Sequence, residues 1–183
     1  MTIGSLRIGR IGKNVTILAT CQGLLFSINT VFAMVSGLVG ASLAPDPSLA
    51  TVPLGLFIAG AAFSTYPASM LMGRIGRRTG FLIGASIGFY GGVLGAWAVY
   101  ESSFSLLCFT GLFMGIYFAF GGYYRFAIAD VVTGKLKRHA VSIVLAGGVI
   151  SGVVGPYSAD WSRDLLAPQT FMASYAVISA LAY

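Results

Sequence analysis

Residues 69–78 read Ser-Met-Leu-Met-Gly-Arg-Ile-Gly-Arg-Arg, and this short basic stretch stands between two long apolar runs. Its arginines, Arg74, Arg77 and Arg78, cannot rest in hydrocarbon without a large cost in free energy. An apolar run that crosses a membrane has to end before these arginines, and the next has to begin directly after them. The stretch therefore predicts a tight turn between two transmembrane helices.

Composition indicates that the whole chain is a membrane protein. Of its 183 residues, 57% are hydrophobic and only 9% are charged, and the mean hydropathy is +0.87. These values lie outside the range of soluble globular domains. The net charge of +6 does not point to nucleic acid, because the basic residues form separate clusters between apolar runs. We expect an all-α integral membrane protein that contacts the lipid bilayer and binds no nucleic acid.

The sequence contains no pattern that is typical of an enzyme. It lacks a GxxxxGK[ST] phosphate loop, paired cysteines or histidines at metal-ligand spacing, and a nucleophile beside a plausible base. We therefore expect no catalytic residues, no metal and no cofactor.

Apolar segments predict six membrane-spanning helices, since about 20 residues are needed to cross the hydrocarbon core. The sixth segment begins near Thr170 and reaches only Tyr183, so we expect the chain to end inside that helix. Residues 1–14 are predicted to be a cytoplasmic segment and residues 15–183 a six-helix domain. The five longer segments are Val15 to Ala41, Val52 to Met72, Phe81 to Tyr100, Phe104 to Tyr124 and Ala140 to Tyr157.

The basic residues predict the orientation of these spans. All of them except Arg163 fall before the first span, between the second and third, or around the end of the fourth. These regions lie on one side of the membrane, which the positive-inside rule assigns to the cytoplasm. We expect a multi-pass protein of a bacterial inner membrane with a cytoplasmic N-terminus.

The stretch between the second and third spans resembles a signature of the major facilitator superfamily, G-x-L-a-D-R-x-G-R-[KR]. The matching residues are Leu71, Arg74, Gly76, Arg77 and Arg78. The resemblance implies the N-terminal half of such a transporter, built from two inverted three-helix repeats. It also implies a C-terminal six-helix half of the same protein and a small-molecule substrate.

The signature departs from the family at two positions, with Ser69 in place of a glycine and Gly73 in place of the aspartate. The resemblance places an acidic residue at the end of the fourth span and an arginine at the start of the fifth, where Asp130 and Arg138 stand. It implies that Asp130 pairs with the arginines of the signature loop and closes the cytoplasmic gate.

In this family the first and fourth helices line the substrate cavity near the membrane midplane. The first span offers Gln22, Asn29 and Ser36, which are spaced by seven residues and lie close to one helix face. These polar groups need a partner, because an unsatisfied amide in lipid costs several kcal/mol. They either line the cavity or hydrogen-bond a neighbouring helix.

The fourth span adds Tyr117 and Tyr124, again seven apart, with Arg125 next to them. Arg125 is a candidate for binding an anionic group, since a guanidinium presents forked donors. Alternatively it extends to the inner headgroups or joins the network of Asp130. Tyr66 of the second span is a further candidate substrate residue and precedes Pro67, which is predicted to kink that helix.

Glycines in the third span recur at positions 84, 88, 92 and 95. This spacing predicts a close contact between helices.

Two functions are compatible with these patterns. One is a secondary transporter of a small solute that works by rocker-switch alternating access, as a symporter, an antiporter or a uniporter. The other is a structural subunit or assembly factor of a larger membrane complex.

Overall fold

The computed structural model describes the backbone of residues 3–131, 142, 145–146, 148, 157 and 171–182. Side chains are described for residues 15–127 and for the later residues of that set. The predicted fifth span lies almost wholly outside the described residues. The described helices are α1 Ile3–Leu43, α2 Val52–Ile75, α3 Arg77–Tyr100, α4 Phe104–Gly121, α5 Tyr124–Val131 and α6 Met172–Ala182, with a 3-10 turn at Pro47–Leu49.

Four helical segments of the described chain are long and apolar enough to cross a membrane, and they confirm the first four predicted spans. The segments are Val15–Leu43, Pro47–Ile75, Arg77–Tyr100 and Phe104–Ala127. The helix α6 is apolar but shorter, as far as it is described. Every regular element in the described ranges is helical, so the all-α prediction holds there, whereas six spans and an inverted repeat are not visible in this part of the chain.

The turn between α2 and α3 is as tight as the sequence predicted. One residue, Gly76, separates the two helices, and its φ of 85° lies in the left-handed region. Glycine adopts this conformation without steric cost, whereas a side chain would be strained. The amide of Gly76 closes the last turn of α2 by donating to the carbonyl of Met72 at 3.0 Å.

The helices α2 and α4 lie side by side and run in the same direction. A Cβ atom added at Gly111 would collide with the carbonyl of Pro53, and one added at Gly115 with the carbonyl of Phe57. The positions that meet rise together along both helices, which shows that the pair is parallel. Because these glycines lack side chains, the two backbones come into direct contact.

The glycine stripe of α3 packs as the sequence predicted. Added Cβ atoms would meet Phe120 at position 84, Tyr117 at position 88, Ser179 at position 92 and Tyr175 at position 95. The helix α3 therefore runs antiparallel to both α4 and α6 and is wedged closely against each. Small residues permit this approach, and dispersion forces then stabilise the contact in lipid.

The alternating directions separate the charged residues. The turn that carries Arg74, Arg77 and Arg78 lies at the same end of the bundle as Arg125, while Asp46 and Glu101 follow the opposite helix ends. This arrangement agrees with the charge asymmetry on which the predicted orientation depends.

One side of α1 forms most of the hydrophobic core together with α4 and α6. Large side chains on the outer surface, such as Ile58 and Phe63 of α2, are exposed in the bundle. Such a surface suits lipid rather than water. The fully buried large side chains are Tyr175, Phe32, Leu25, Ile28, Leu107, Met114, Ile178, Val31 and Val35.

Candidate substrate-binding cleft

A cleft of about 520 Å³ opens between α2 and the junction of α4 with α5. It lies toward the basic end of the bundle, because α4 ends there and Arg125 follows directly. We name it the α2–α4 cleft. Its lining residues are Ala61, Ala62, Thr65, Phe118, Ala119, Gly122, Tyr123, Arg125 and Phe126.

Aromatic rings lead from this cleft into the core. The ring of Phe118 lies 6.0 Å from that of Phe26 and 5.6 Å from that of Phe57, between ring centroids. The ring of Phe57 lies 5.4 Å from Phe32, which in turn lies 6.5 Å from Tyr175. Edge and tilted contacts of this kind are favourable and hold the rings in place. One wall of the cleft is therefore aromatic, and rings packed behind Phe118 hold it in place.

The other edge of the cleft is polar. The hydroxyl of Tyr123, which lies between α4 and α5, donates a hydrogen bond of 2.9 Å to the backbone carbonyl of Thr65 in α2. The guanidinium of Arg125 lies 5.0 Å from the ring centroid of Phe126, a cation–π distance. This contact holds an exposed cation beside the cleft, and its guanidinium carries only hydrogen-bond donors.

The predicted residues of the fourth span separate into two groups. Tyr117 and Tyr124 share a face, as their spacing predicted, but they line a second recess of about 300 Å³ among α1, α3, α4 and α6. Arg78 lines the same recess, and Phe81 packs against Tyr124 with ring centroids 4.7 Å apart. Leu181 and Ala182, in the last described turn of α6, also line this recess. The α2–α4 cleft is the larger of the two and is the candidate site.

The three polar residues of α1 lie in different surroundings. Ser36 is buried, and its hydroxyl lies 2.7 Å from that of Tyr175 in α6, so this residue bonds a neighbouring helix. Gln22 is only 2% exposed, and its Oε1 has no hydrogen-bond partner among the described residues. Asn29 is half-buried.

Tyr66 lies outside the cleft. Its side chain is 73% exposed on α2, one residue beyond Thr65. Tyr66 is therefore not one of the described residues that line the cleft.

The three arginines of the predicted gate signature lie at the junction of α2 and α3. Arg74 lies in the last turn of α2, while Arg77 and Arg78 open α3. A cation at a helix N-terminus opposes the helix dipole, so these two arginines do not stabilise the helix itself. The backbone of Asp130 is part of α5, but its side chain and the whole of Arg138 lie outside the described residues.

Sequence reasoning did not identify Phe118, Phe26 or Thr65 as site residues. Aromatic side chains at helical spacing in a membrane span are usually core or lipid-facing, so their pattern carries no specific signal. Thr65 contributes a backbone carbonyl, which no sequence pattern reveals.

With the fold and the cleft in view, the chain can be placed among membrane transporters through two curated relatives. It is 37% identical to the riboflavin transporter RfnT of Brucella anthropi over 173 residues, which covers 93% of this chain and 44% of that protein. It is 31% identical to the uncharacterized MFS-type transporter YdeG of Bacillus subtilis over 122 residues, which covers 67% of this chain and 28% of that protein.

These relatives support the resemblance to the major facilitator superfamily that the signature between the second and third spans predicted. The chain is a multi-pass membrane protein with relatives that are transporters. The chain spans less than half the length of either relative. No protein-family model matches it, and no solved structure matches it.

Proposed function

We propose that the chain is part of a secondary active transporter that carries riboflavin, or a closely similar flavin, across the bacterial cytoplasmic membrane. The similarity to RfnT carries this proposal, because it extends over 93% of the chain. The α2–α4 cleft supports it, since an aromatic wall beside a cationic edge suits a flat heteroaromatic ring with carbonyl groups.

In this proposal the chain supplies the N-terminal six-helix half, and a C-terminal six-helix half of the same protein completes the cavity. Substrate moves when the two halves rock around a site near the membrane midplane. The extent of the match to RfnT, 44% of that protein, supports this division.

We further propose that the junction of α2 and α3 forms the cytoplasmic gate. Arg74, Arg77 and Arg78 would pair with Asp130 when the cytoplasmic side is closed, and Arg138 would belong to the same network. The collection of the described arginines at one end of the bundle supports this role and a cytoplasmic N-terminus.

The proposal is tested by uptake. The full-length gene is expressed in a bacterial strain that can neither synthesise nor import riboflavin. We expect growth at riboflavin concentrations that do not support cells with an empty vector, and accumulation of labelled riboflavin that stops when the ion gradients are collapsed. Uptake of an unrelated vitamin such as biotin serves as the control.

Membrane expression without riboflavin uptake would contradict the proposal. If uptake of a panel of small metabolites were also absent and the protein copurified stably with a larger complex, the structural-subunit function would be favoured instead.

A further inference from the structure

Small side chains line much of the α2–α4 cleft, which is called the slot below. Three of its lining side chains are the small ones of Ala61, Ala62 and Ala119, and Gly122 adds none. Its volume of about 520 Å³ falls in the range of small-molecule pockets, roughly 300–1,000 Å³. Small side chains on both helices leave room for a flat ring rather than for a branched ligand.

Neighbouring aromatic rings position Phe118 for contact with such a ring. Phe26 meets it edge to face, with an interplanar angle of 83°, and Phe57 is tilted by 53°, so neither neighbour is stacked parallel on it. A side chain that is already immobilised loses little entropy when a ligand stacks on it. Phe118 therefore presents a rigid aromatic contact.

Arg125 brings a cation to the rim of the slot. None of the described residues that line the cleft is acidic. Its guanidinium has forked N–H donors and no acceptor, which suits a pair of acceptor atoms on one ring edge. Arginine recognises guanine in the same way, by donating two hydrogen bonds to its O6 and N7 atoms.

Tyr123 adds an acceptor to the same rim. Its hydroxyl proton is engaged with the carbonyl of Thr65, while the phenol oxygen keeps acceptor capacity. The rim thus offers donors from Arg125 and an acceptor from Tyr123, which together complement a cyclic imide and its neighbouring ring nitrogen.

We propose that the α2–α4 cleft binds the isoalloxazine ring of a flavin, with Phe118 against the ring and Arg125 at its pyrimidine edge. The guanidinium donates to the C2 carbonyl and N1, and Tyr123 accepts from the imide N–H. The dimethylbenzene edge points toward the aromatic run of Phe57 and Phe32, and the ribityl chain extends to the open mouth. This assignment rests on the proposed riboflavin transport and names the residues that recognise the ring.

The test is a binding titration with the purified full-length protein, in which quenching of flavin fluorescence reports ring stacking. Phe118→Leu is expected to raise the Kd for riboflavin by about tenfold, whereas Phe118→Tyr retains affinity near that of the wild type. Phe109→Leu is the matched control, because Phe109 is an exposed phenylalanine of the same helix that does not line the cleft.

For the rim, Arg125→Gln is expected to raise the Kd by about tenfold, and Arg125→Lys by less, since lysine keeps the charge but loses the fork. The same losses are expected with lumiflavin, which has the ring but lacks the ribityl chain. Monodisperse elution and an unchanged helical spectrum show that each variant is folded.

The outcomes separate the two proposals. If the wild-type protein binds no riboflavin, the proposed function fails. If the wild type binds riboflavin and the folded Phe118→Leu and Arg125→Gln variants bind equally well, the cleft assignment is overturned. A loss in Arg125→Gln that disappears with lumiflavin would also overturn it, because Arg125 would then contact the ribityl chain.

Discussion

The hydroxyl oxygens of Ser36 and Tyr175 lie 2.7 Å apart although the two residues are 139 positions apart in the sequence. Both side chains are fully buried, and the bond joins α1 to α6 across the core. Because the interior of a membrane offers no water as a hydrogen-bond partner, buried hydroxyl groups such as these bond to each other. It shows directly that the first and last described helices are neighbours.

Removing the phenol hydroxyl is expected to weaken this contact. Tyr175→Phe should lower the free energy of unfolding by about 1–2 kcal/mol, because the buried hydroxyl of Ser36 loses its partner. Unfolding in SDS followed by circular dichroism measures the change. Tyr100→Phe is the control, since Tyr100 is exposed. Equal stability of Tyr175→Phe and the wild type would show that the bond contributes nothing.

The close contact of α3 with α6 predicts different effects for two glycines. A Cβ at Gly92 would lie 2.6 Å from the backbone nitrogen of Ser179, whereas a Cβ at Gly55 would have nothing within 4 Å. Gly92→Ala should therefore cost about 1–3 kcal/mol through overpacking. Gly55→Ala should be neutral or stabilise α2 by up to about 1 kcal/mol. Thermal unfolding of the two variants decides this, and a Gly92→Ala protein as stable as Gly55→Ala would contradict the packing.

The 3-10 turn between α1 and α2 predicts a pH dependence. The hydroxyl of Ser48 and, with a smaller effect, its backbone amide donate hydrogen bonds to the Asp46 carboxylate and lower the pKa of Asp46 below the ordinary value. The hydrogen bond from the amide is 2.8 Å long. Since the folded pKa is the lower one, the stabilisation is present above the unfolded pKa of about 3.9 and is lost as pH falls through the folded pKa.

Thermal unfolding of Asp46→Ala and the wild type across pH checks this expectation. The difference in Tm should be largest near neutral pH and should shrink as the pH falls below about 4. A difference in Tm that stays constant over the whole pH range would show that the charge of Asp46 does not contribute to stability.

The proposed gate predicts an effect of Asp130. Asp130→Asn should raise cytoplasmic accessibility, because the arginines of the α2–α3 junction lose their anionic partner. If the pair is worth about 1 kcal/mol, the open state should gain roughly fivefold.

A cysteine at position 73 reports the change through its labelling rate from the cytoplasmic side, in a background without Cys21 and Cys108. Gly73 tolerates the substitution, since nothing lies within 4 Å of an added Cβ. Glu101→Gln at the opposite end is the matched control. Labelling of Asp130→Asn at the wild-type rate would count against the gate.

Much of the fold was predictable from local patterns. The first four spans, the turn at Gly76 and the contacts of the α3 glycines each follow from short-range features: apolar length, charge position and side-chain size. The predicted site was less accessible to such reasoning. Tyr124 and Arg125 are adjacent in sequence, yet they line different cavities, because successive helical residues point about 100° apart.

By itself, the sequence determined that the chain crosses a membrane repeatedly and that it resembles a transporter family, since hydropathy sums over each segment and the signature occupies adjacent residues. Only the tertiary structure decided that α2 lies parallel to α4 and that Phe118, Tyr123 and Arg125 share one cleft. Helix rotation and register decide which side chains meet, and these depend on where glycines such as Gly111 and Gly115 let backbones touch. That information belongs to pairs of helices and is absent from any single one.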